Sequence, residues 1–250
     1  VRLVGSEMCI RDSPRSLPPS PLSFSLSLLL LPPSPRSSLA LSLSLPPPPR
    51  GMSAVDLSDR RLSSLEQALP SLPPTLTELS LAFNQLSSLG GGGQLALVGA
   101  QLSRLNLAHN RLCQLPPLAP LRHLVRLDLS HNSLSSLSGL EGCVALQELW
   151  LPHNKLSLDA LAQLGAPPGL PALRNLVVCN NPADKIRPQG LAGALVLHLL
   201  PLLATLDTRD CAGEERKRRL MLLRTQDARQ ALVEALGQKQ ALTLLKQEGP

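Results

Sequence analysis

Three histidines, His109, His131 and His153, recur at intervals of 22 residues, and each is followed by an asparagine. Imidazoles repeated at a fixed interval suggest metal ligation or proton transfer. No Ser or Cys nucleophile accompanies them, and a straight row of rings does not close tetrahedrally around zinc. Neither a catalytic centre nor a metal site is therefore expected. Stacked imidazoles would instead repel one another when protonated, which predicts a mild loss of stability below about pH 6. Cys113, Cys143, Cys179 and Cys211 lie 30, 36 and 32 residues apart with no CxxC pair, and are read as reduced, mostly buried thiols. The glycine run at 90–93 continues as QLALVG without GK[ST], so it is not a phosphate loop. No cofactor and no small-molecule substrate are implied.

The elements that must position these residues follow from a repeat. LTELSLAFNQLSSL, LSRLNLAHNRLCQL, LVRLDLSHNSLSSL and LQELWLPHNKLSLD superimpose on the frame LxxLxLxxNxLxxL. LRNLVVCNNP carries the first half of the frame, and VDLSDRRLSSL fits it with Arg60 at the asparagine position. In a strand successive side chains alternate, so the leucine pairs 79/81, 105/107, 127/129 and 149/151 face one side, joined by Leu76, Leu102, Leu124 and Leu146. No coil encloses its own leucines, and stacking the next coil on top does. Asn84, Asn110, Asn132, Asn154 and Asn181 mark the place where the strand turns inward. There an amide offers both donors and an acceptor to backbone groups that have left the sheet ladder, so these residues are structural.

On these residues the chain resembles the leucine-rich repeat family over Val55 to about Thr208, in its short intracellular class of about 22 residues per coil. HLLPLLATLDTRDCAGEERKRR is similar to the family's C-terminal cap, with Leu203, Leu206 and Asp207 in pattern and a helix starting near Glu214, Glu215 and Arg216. The resemblance implies an α/β fold: a leucine-rich-repeat solenoid with a curved parallel sheet, an irregular or short-helical convex side and a C-terminal helical cap. It also implies protein binding. The class includes a phosphatase-1 regulatory subunit, a spliceosomal ribonucleoprotein component and axonemal proteins related to dynein light chain. A superfold hosts many functions, so the resemblance alone leaves these open.

With leucine inward at frame positions 4 and 6, positions 3 and 5 face outward on the concave sheet. Position 3 reads Glu78, Arg104, Arg126, Glu148, Asn175, and position 5 reads Ser80, Asn106, Asp128, Trp150, Val177. Trp150, the sole tryptophan, is either half-covered by Arg126 and Asp128 or the anchor of an interface. In the second reading Arg104 and Arg126 attract acidic groups of a partner, Glu78, Asp128 and Glu148 tune partner choice, and Asn106 belongs to the same partner-binding face.

Four segments are expected: an adapter scar over 1–13, a translated leader over 14–51, the solenoid over 52–208, and a cap and helix over 209–250. LVGSEMCIRDS matches the in-frame translation of a sequencing adapter, and the leader is almost wholly Pro, Ser, Leu and Phe. Met52 then reads as the start, although residues 22–35 also fit a secretory signal. At the first strand, either a weak N-terminal cap is tolerated or the cap lies in sequence lost to the scar. From 52 onward 19 Lys/Arg face 16 Asp/Glu, and residues 52–208 hold ten of each, so phosphate-driven nucleic-acid binding is not expected of the solenoid. The insertions at 90–100 and 166–172 read as edge loops, and 159–165 as a short convex helix ending at Gly165. The apolar run 191–206 is too short for a membrane span. The C-terminal stretch is expected to seal the last coil and extend as a partner helix. RKRR (216–219) reads as a nuclear localisation stretch or a solvated helix face. The expected product is a monomeric cytoplasmic scaffold for protein partners, axonemal or nuclear by extension.

Overall fold

A computed structural model describes residues 53–67, 72–73, 75–90, 101–165 and 169–246. The segments read as scar and leader, Met52, most of the glycine-rich insertion and residues 166–168 lie outside the described residues. The described residues all belong to one compact unit, Leu45–Pro250.

Each coil contributes one short strand: β1 Ala54–Asp56, β2 Glu78–Ser80, β3 Arg104–Asn106, β4 Arg126–Asp128, β5 Glu148–Trp150, β6 Asn175–Val177 and β7 Thr205–Leu206. They pair in chain order, all parallel, and β8 Arg209–Asp210 folds back antiparallel on β7. The register sets Leu79, Leu105, Leu127, Leu149 and Leu176 in one line. Those leucines, with Leu81, Leu107, Leu129 and Leu151, are buried as the frame requires. At about 1.5–3 kcal/mol for each buried aliphatic side chain, this spine is the main favourable term opposing chain entropy.

The asparagines stitch neighbouring coils. Asn132 Oδ1 accepts the Leu112 N–H of the preceding coil at 3.0 Å, and its Nδ2 donates to Leu107 O of that coil and Leu129 O of its own, both at 3.0 Å. Asn84, Asn110, Asn154 and Asn181 repeat the pattern, and all five are buried. In the first coil Arg60 stands at this position, and its own backbone N–H is served by Asn84 Oδ1 at 3.1 Å. The coils also approach closely at Gly139, where φ is +103° and an added Cβ would lie 2.7 Å from Pro116 O.

On the convex side Ser157 Oγ accepts Ala160 N–H at 3.2 Å and starts α1 (Leu158–Ala162), followed by a 3-10 turn ending at Gly165. The apolar run becomes α2 (Leu191–Leu199), which buries Leu191, Leu195, Val196 and Leu197 against the last coils. Its hydrophobicity is therefore that of a core helix. No helix among the described residues is long and apolar enough to cross a membrane.

The C-terminal stretch departs from the expected extended helix. It breaks into α3 (Gly213–Met221), α4 (Gln226–Leu236) and α5 (Gln238–Lys246). Thr225 Oγ1 caps α4 by accepting Ala228 N–H, and Gly237, at φ +80°, turns the chain into α5. Leu223, Ala228, Leu232, Leu236 and Ala241 are buried, so the helices fold back onto the solenoid. Arg216 seals the junction: its guanidinium donates to Leu197 O at 2.7 Å, Leu200 O at 2.6 Å and Leu203 O at 2.9 Å, carbonyls of the last turn of α2 and of the turn that follows it. Of RKRR, therefore, Arg216 is a structural residue, while Lys217 and Arg218 are exposed.

Candidate functional site

The two outward columns lie side by side on the sheet as the alternation predicts. Strand register places Glu78 beside Arg104, Arg104 beside Arg126, and Arg126 beside Glu148. The two arginines do not stand free. Arg104 Nη1 lies 2.8 Å from Glu78 Oε1, and Arg126 Nη2 lies 2.8 Å from Glu148 Oε2. Adjacent guanidiniums repel, and each turns outward to the carboxylate on its far side.

Trp150 is half-exposed, with Asp128 and Val177 as its register partners on β4 and β6. The Arg126 guanidinium carbon sits 5.1 Å from the indole centroid, a cation-π contact over one side of the ring. Arg126 thus covers one side of the ring, as the half-covered reading expects, and the rest of the ring meets solvent. Asn106 and Asp128 each use one side-chain oxygen on the strand exit. Asn106 Oδ1 accepts Ala108 N–H at 3.0 Å, and Asp128 Oδ1 accepts Ser130 N–H at 2.9 Å.

The histidine row lies at the edge of this face. His109 and His131 stack with centroids 4.1 Å apart and planes 11° off parallel, and His131 and His153 stack at 4.1 Å and 15°. Phe83 extends the stack at 4.2 Å, and Asn180 closes the other end with Nδ2 3.2 Å from His153 Nε2. Phe83 was readable in the sequence, since AFN occupies the same frame position as AHN and SHN. All of these residues sit in the left-handed region, with φ from 53° to 61°. Asn and His enter that region more readily than bulky residues do. Stacked rings hold their nitrogen lone pairs in near-parallel planes that do not converge on one ion.

Burial lowers the pKa of His109 and His131. Asp128 opposes the shift for both, while repulsion from His153 deepens it for both and repulsion from His109 deepens it for His131. The unfolded chain therefore takes up protons at a higher pH than the folded one. The stability contribution is present above the unfolded histidine pKa of about 6.5 and is lost as pH falls through it. Urea unfolding between about pH 7.5 and pH 5 should show a falling midpoint. Replacing His109, His131 and His153 together by Asn, which suits the same backbone region, should flatten that fall. An equal slope in the wild type and the triple variant would remove the row as its cause.

The cysteines are less uniform than expected. Cys143 and Cys211 are buried, but Cys113 is exposed and Cys179 is intermediate, so only half match the buried reading. Burial first, and Glu141 second, push the Cys143 thiol up to about 11, which keeps it protonated and poorly nucleophilic near neutral pH. A cavity of about 20 Å³ beside Leu137, Leu140, Glu141, Gln163, Leu164 and Leu170 has room for one water.

The family described as leucine rich repeat matches residues 100–156, the coils of β3 and β4 and the strand and turn of the next, with the turns at Asn110, Asn132 and Asn154. No curated protein matches the chain closely enough to count as a relative. Among solved structures, TLR13 in its complex with ssRNA13 superimposes with a TM-score of 0.51 at 24% identity. That match covers 62% of this chain and 21% of the TLR13 chain, so the chain spans about a fifth of that protein. Internalin C2 of Listeria monocytogenes gives 0.48 at 24% identity over 62% of this chain and 60% of its own. The Drosophila melanogaster SNF/U2A' complex gives 0.44 at 20% identity over 72% and 87%. The family's repeat is thus matched over the centre of the chain, and the same frame and one-strand-per-coil parallel sheet continue on either side of it, which gives the chain the fold of a leucine-rich-repeat solenoid.

Proposed function

We propose that the chain is a non-enzymatic, monomeric scaffold that holds a protein partner on the concave sheet face, with Trp150 as the anchor. The supporting observation is the setting of Trp150. It is a large half-exposed aromatic on an outward column, held on one side by Arg126, with charged residues of both signs around it. A ring immobilised before binding loses little entropy on docking, and such residues dominate interface energetics. Arg126, Asp128 and Glu148 flank it, Glu78, Arg104 and Asn106 extend the same face over the preceding strands, and together these six set selectivity.

The setting proposed is cytoplasmic, on an axonemal or cytoskeletal assembly. A phosphatase regulatory subunit or a ribonucleoprotein scaffold is the alternative. No small-molecule substrate and no cofactor enter this reading. Affinity capture from ciliated-cell extract with the intact chain and with Trp150→Ala tests it. A partner held by the wild type should be lost or weakened by about 30-fold, corresponding to about 2 kcal/mol for an aromatic hot spot. A partner retained equally by both proteins would overturn the assignment of the face. Truncation at Gly213 is not a clean second arm, because it removes Leu223, Ala228 and Leu232 from the core.

A further inference from the structure

We infer that the concave face recruits a cationic, amphipathic segment of its partner: a Lys or Arg side chain meets Asp128 while a neighbouring apolar side chain covers the open part of Trp150 and Val177. The inference rests on the concave-face reading above and adds the chemistry of what docks there. The sequence alone suggests the opposite polarity, with Arg104 and Arg126 drawing in acidic groups.

The ion pairs decide between the two. An acidic partner meets guanidiniums whose charge Glu78 and Glu148 already balance, at contacts of 2.8 Å, and is repelled by those same carboxylates. Arg126 is committed a second time through its place over the Trp150 ring. Glu78, Arg104, Arg126 and Glu148 therefore sum to zero charge. What remains beside the tryptophan is Asp128. Among the described residues its only side-chain hydrogen bonds come from the Ser130 backbone N–H and hydroxyl, both to Oδ1. Among the described residues Oδ2 has no hydrogen-bond donor and no Lys or Arg is paired with this carboxylate, whose other electrostatic neighbours are His109 and His131.

Asp128 is the direct register partner of Trp150, whose other register partner is Val177. A carboxylate with a spare oxygen, then an indole, then a valine on three successive strands spans about 10 Å at the usual strand spacing. Two turns of an amphipathic helix present a cation and an aliphatic residue over that distance. A basic side chain suits both halves, since its methylenes pack on the ring while its head reaches the carboxylate.

Trp150 is the sole tryptophan, so its emission reports this site alone in the full-length chain. The probes are an amphipathic Leu–Lys peptide and its Leu–Glu counterpart of equal length. The Leu–Lys peptide should shift Trp150 emission saturably, and the Leu–Glu peptide should not. Asp128→Asn should weaken the Leu–Lys peptide by about fivefold. Asp159→Asn, the same charge change on α1 instead of the sheet, should leave it unaltered. Preference for the Leu–Glu peptide, an equal response of Asp128→Asn and wild type, or no emission change with either peptide would each overturn the inference. These failures are distinct from failure of the scaffold reading, which falls only if Trp150→Ala retains the captured partner.

Discussion

Replacing Asn132 by alanine should lower the stability of the whole chain by about 3 kcal/mol, seen as a shift of the urea midpoint with an unchanged slope. The carbonyls that Asn132 serves are not all orphaned by the change. Leu107 O still accepts from Asn110 Nδ2 at 3.0 Å, and Leu129 O from Asn154 Nδ2 at 3.0 Å. The Leu112 N–H has no such reserve, because its acceptor is Asn132 Oδ1. One buried donor without a partner costs about 1–3 kcal/mol, and the lost packing volume adds to it. Asn132→Asp separates these contributions. It keeps an acceptor for Leu112 N–H but aims a carboxylate at Leu107 O, Leu129 O and Ser130 O. Repulsion there raises the carboxyl pKa in the folded state, so the folded chain holds the proton more tightly than the unfolded one. Asn132→Asp should therefore be worse than alanine near pH 7 and recover as pH falls, opposite in sign to the histidine effect. If Asn132→Asp matches wild type near neutral pH, the donated bonds are not what the ladder needs.

What was legible in the sequence was whatever repeats. Leucines at fixed offsets and an asparagine in every turn are imposed by the same geometry coil after coil. A reading of one coil is thereby checked by the next, and Leu79, Leu105, Leu127 and Leu149 are all buried as placed. Trp150 and its neighbours were correctly assigned to the outward columns by the period-two alternation alone. Their pairings were not readable, because they depend on which rotamer each long side chain takes across strands. The E-R-R-E order of column 3 permits Arg104 to approach Arg126 or to turn away from it. Charge repulsion favours turning away, and the ion pairs to Glu78 and Glu148 are what the inferred cationic partner rests on. The C-terminal helices were misread for a related reason. Helical spacing pairs Leu220 with Leu223 and Leu232 with Leu236, but does not show whether those apolar pairs await another protein or fold onto the last coil. Thr225 and Gly237 were the available signals: a cap residue and a turn residue inside what otherwise reads as one helix.

Leu129→Ala and Leu57→Ala are the same chemical change at equivalent positions of different coils, and their effects should differ in size and in extent. Leu129 is fully buried, with Leu107 and Leu151 at the same frame position in the coils on either side. Leu57 is 6% exposed in the first described coil, where among the described residues β1 pairs with β2 alone. Leucine-to-alanine changes in cores cost about 2–5 kcal/mol, the spread reflecting how completely the site is enclosed. Leu129→Ala should fall near the top of that range and Leu57→Ala near the bottom. The mechanics of a stacked array add a further distinction, because each coil draws stability from its neighbours and an end coil has only one interface to lose. Leu57→Ala should therefore loosen the first coil locally, raising hydrogen exchange at backbone amides near Val55 and Leu57. It should leave the urea transition seen by Trp150, four coils away, almost in place. Leu129→Ala lies next to the tryptophan coil and should move that transition and the far-ultraviolet signal together. Equal displacement of the Trp150 transition by both variants would mean that the solenoid melts as one indivisible unit. The first described coil would then be as tightly coupled as the middle, and its place at the end of the strand order would have no energetic consequence.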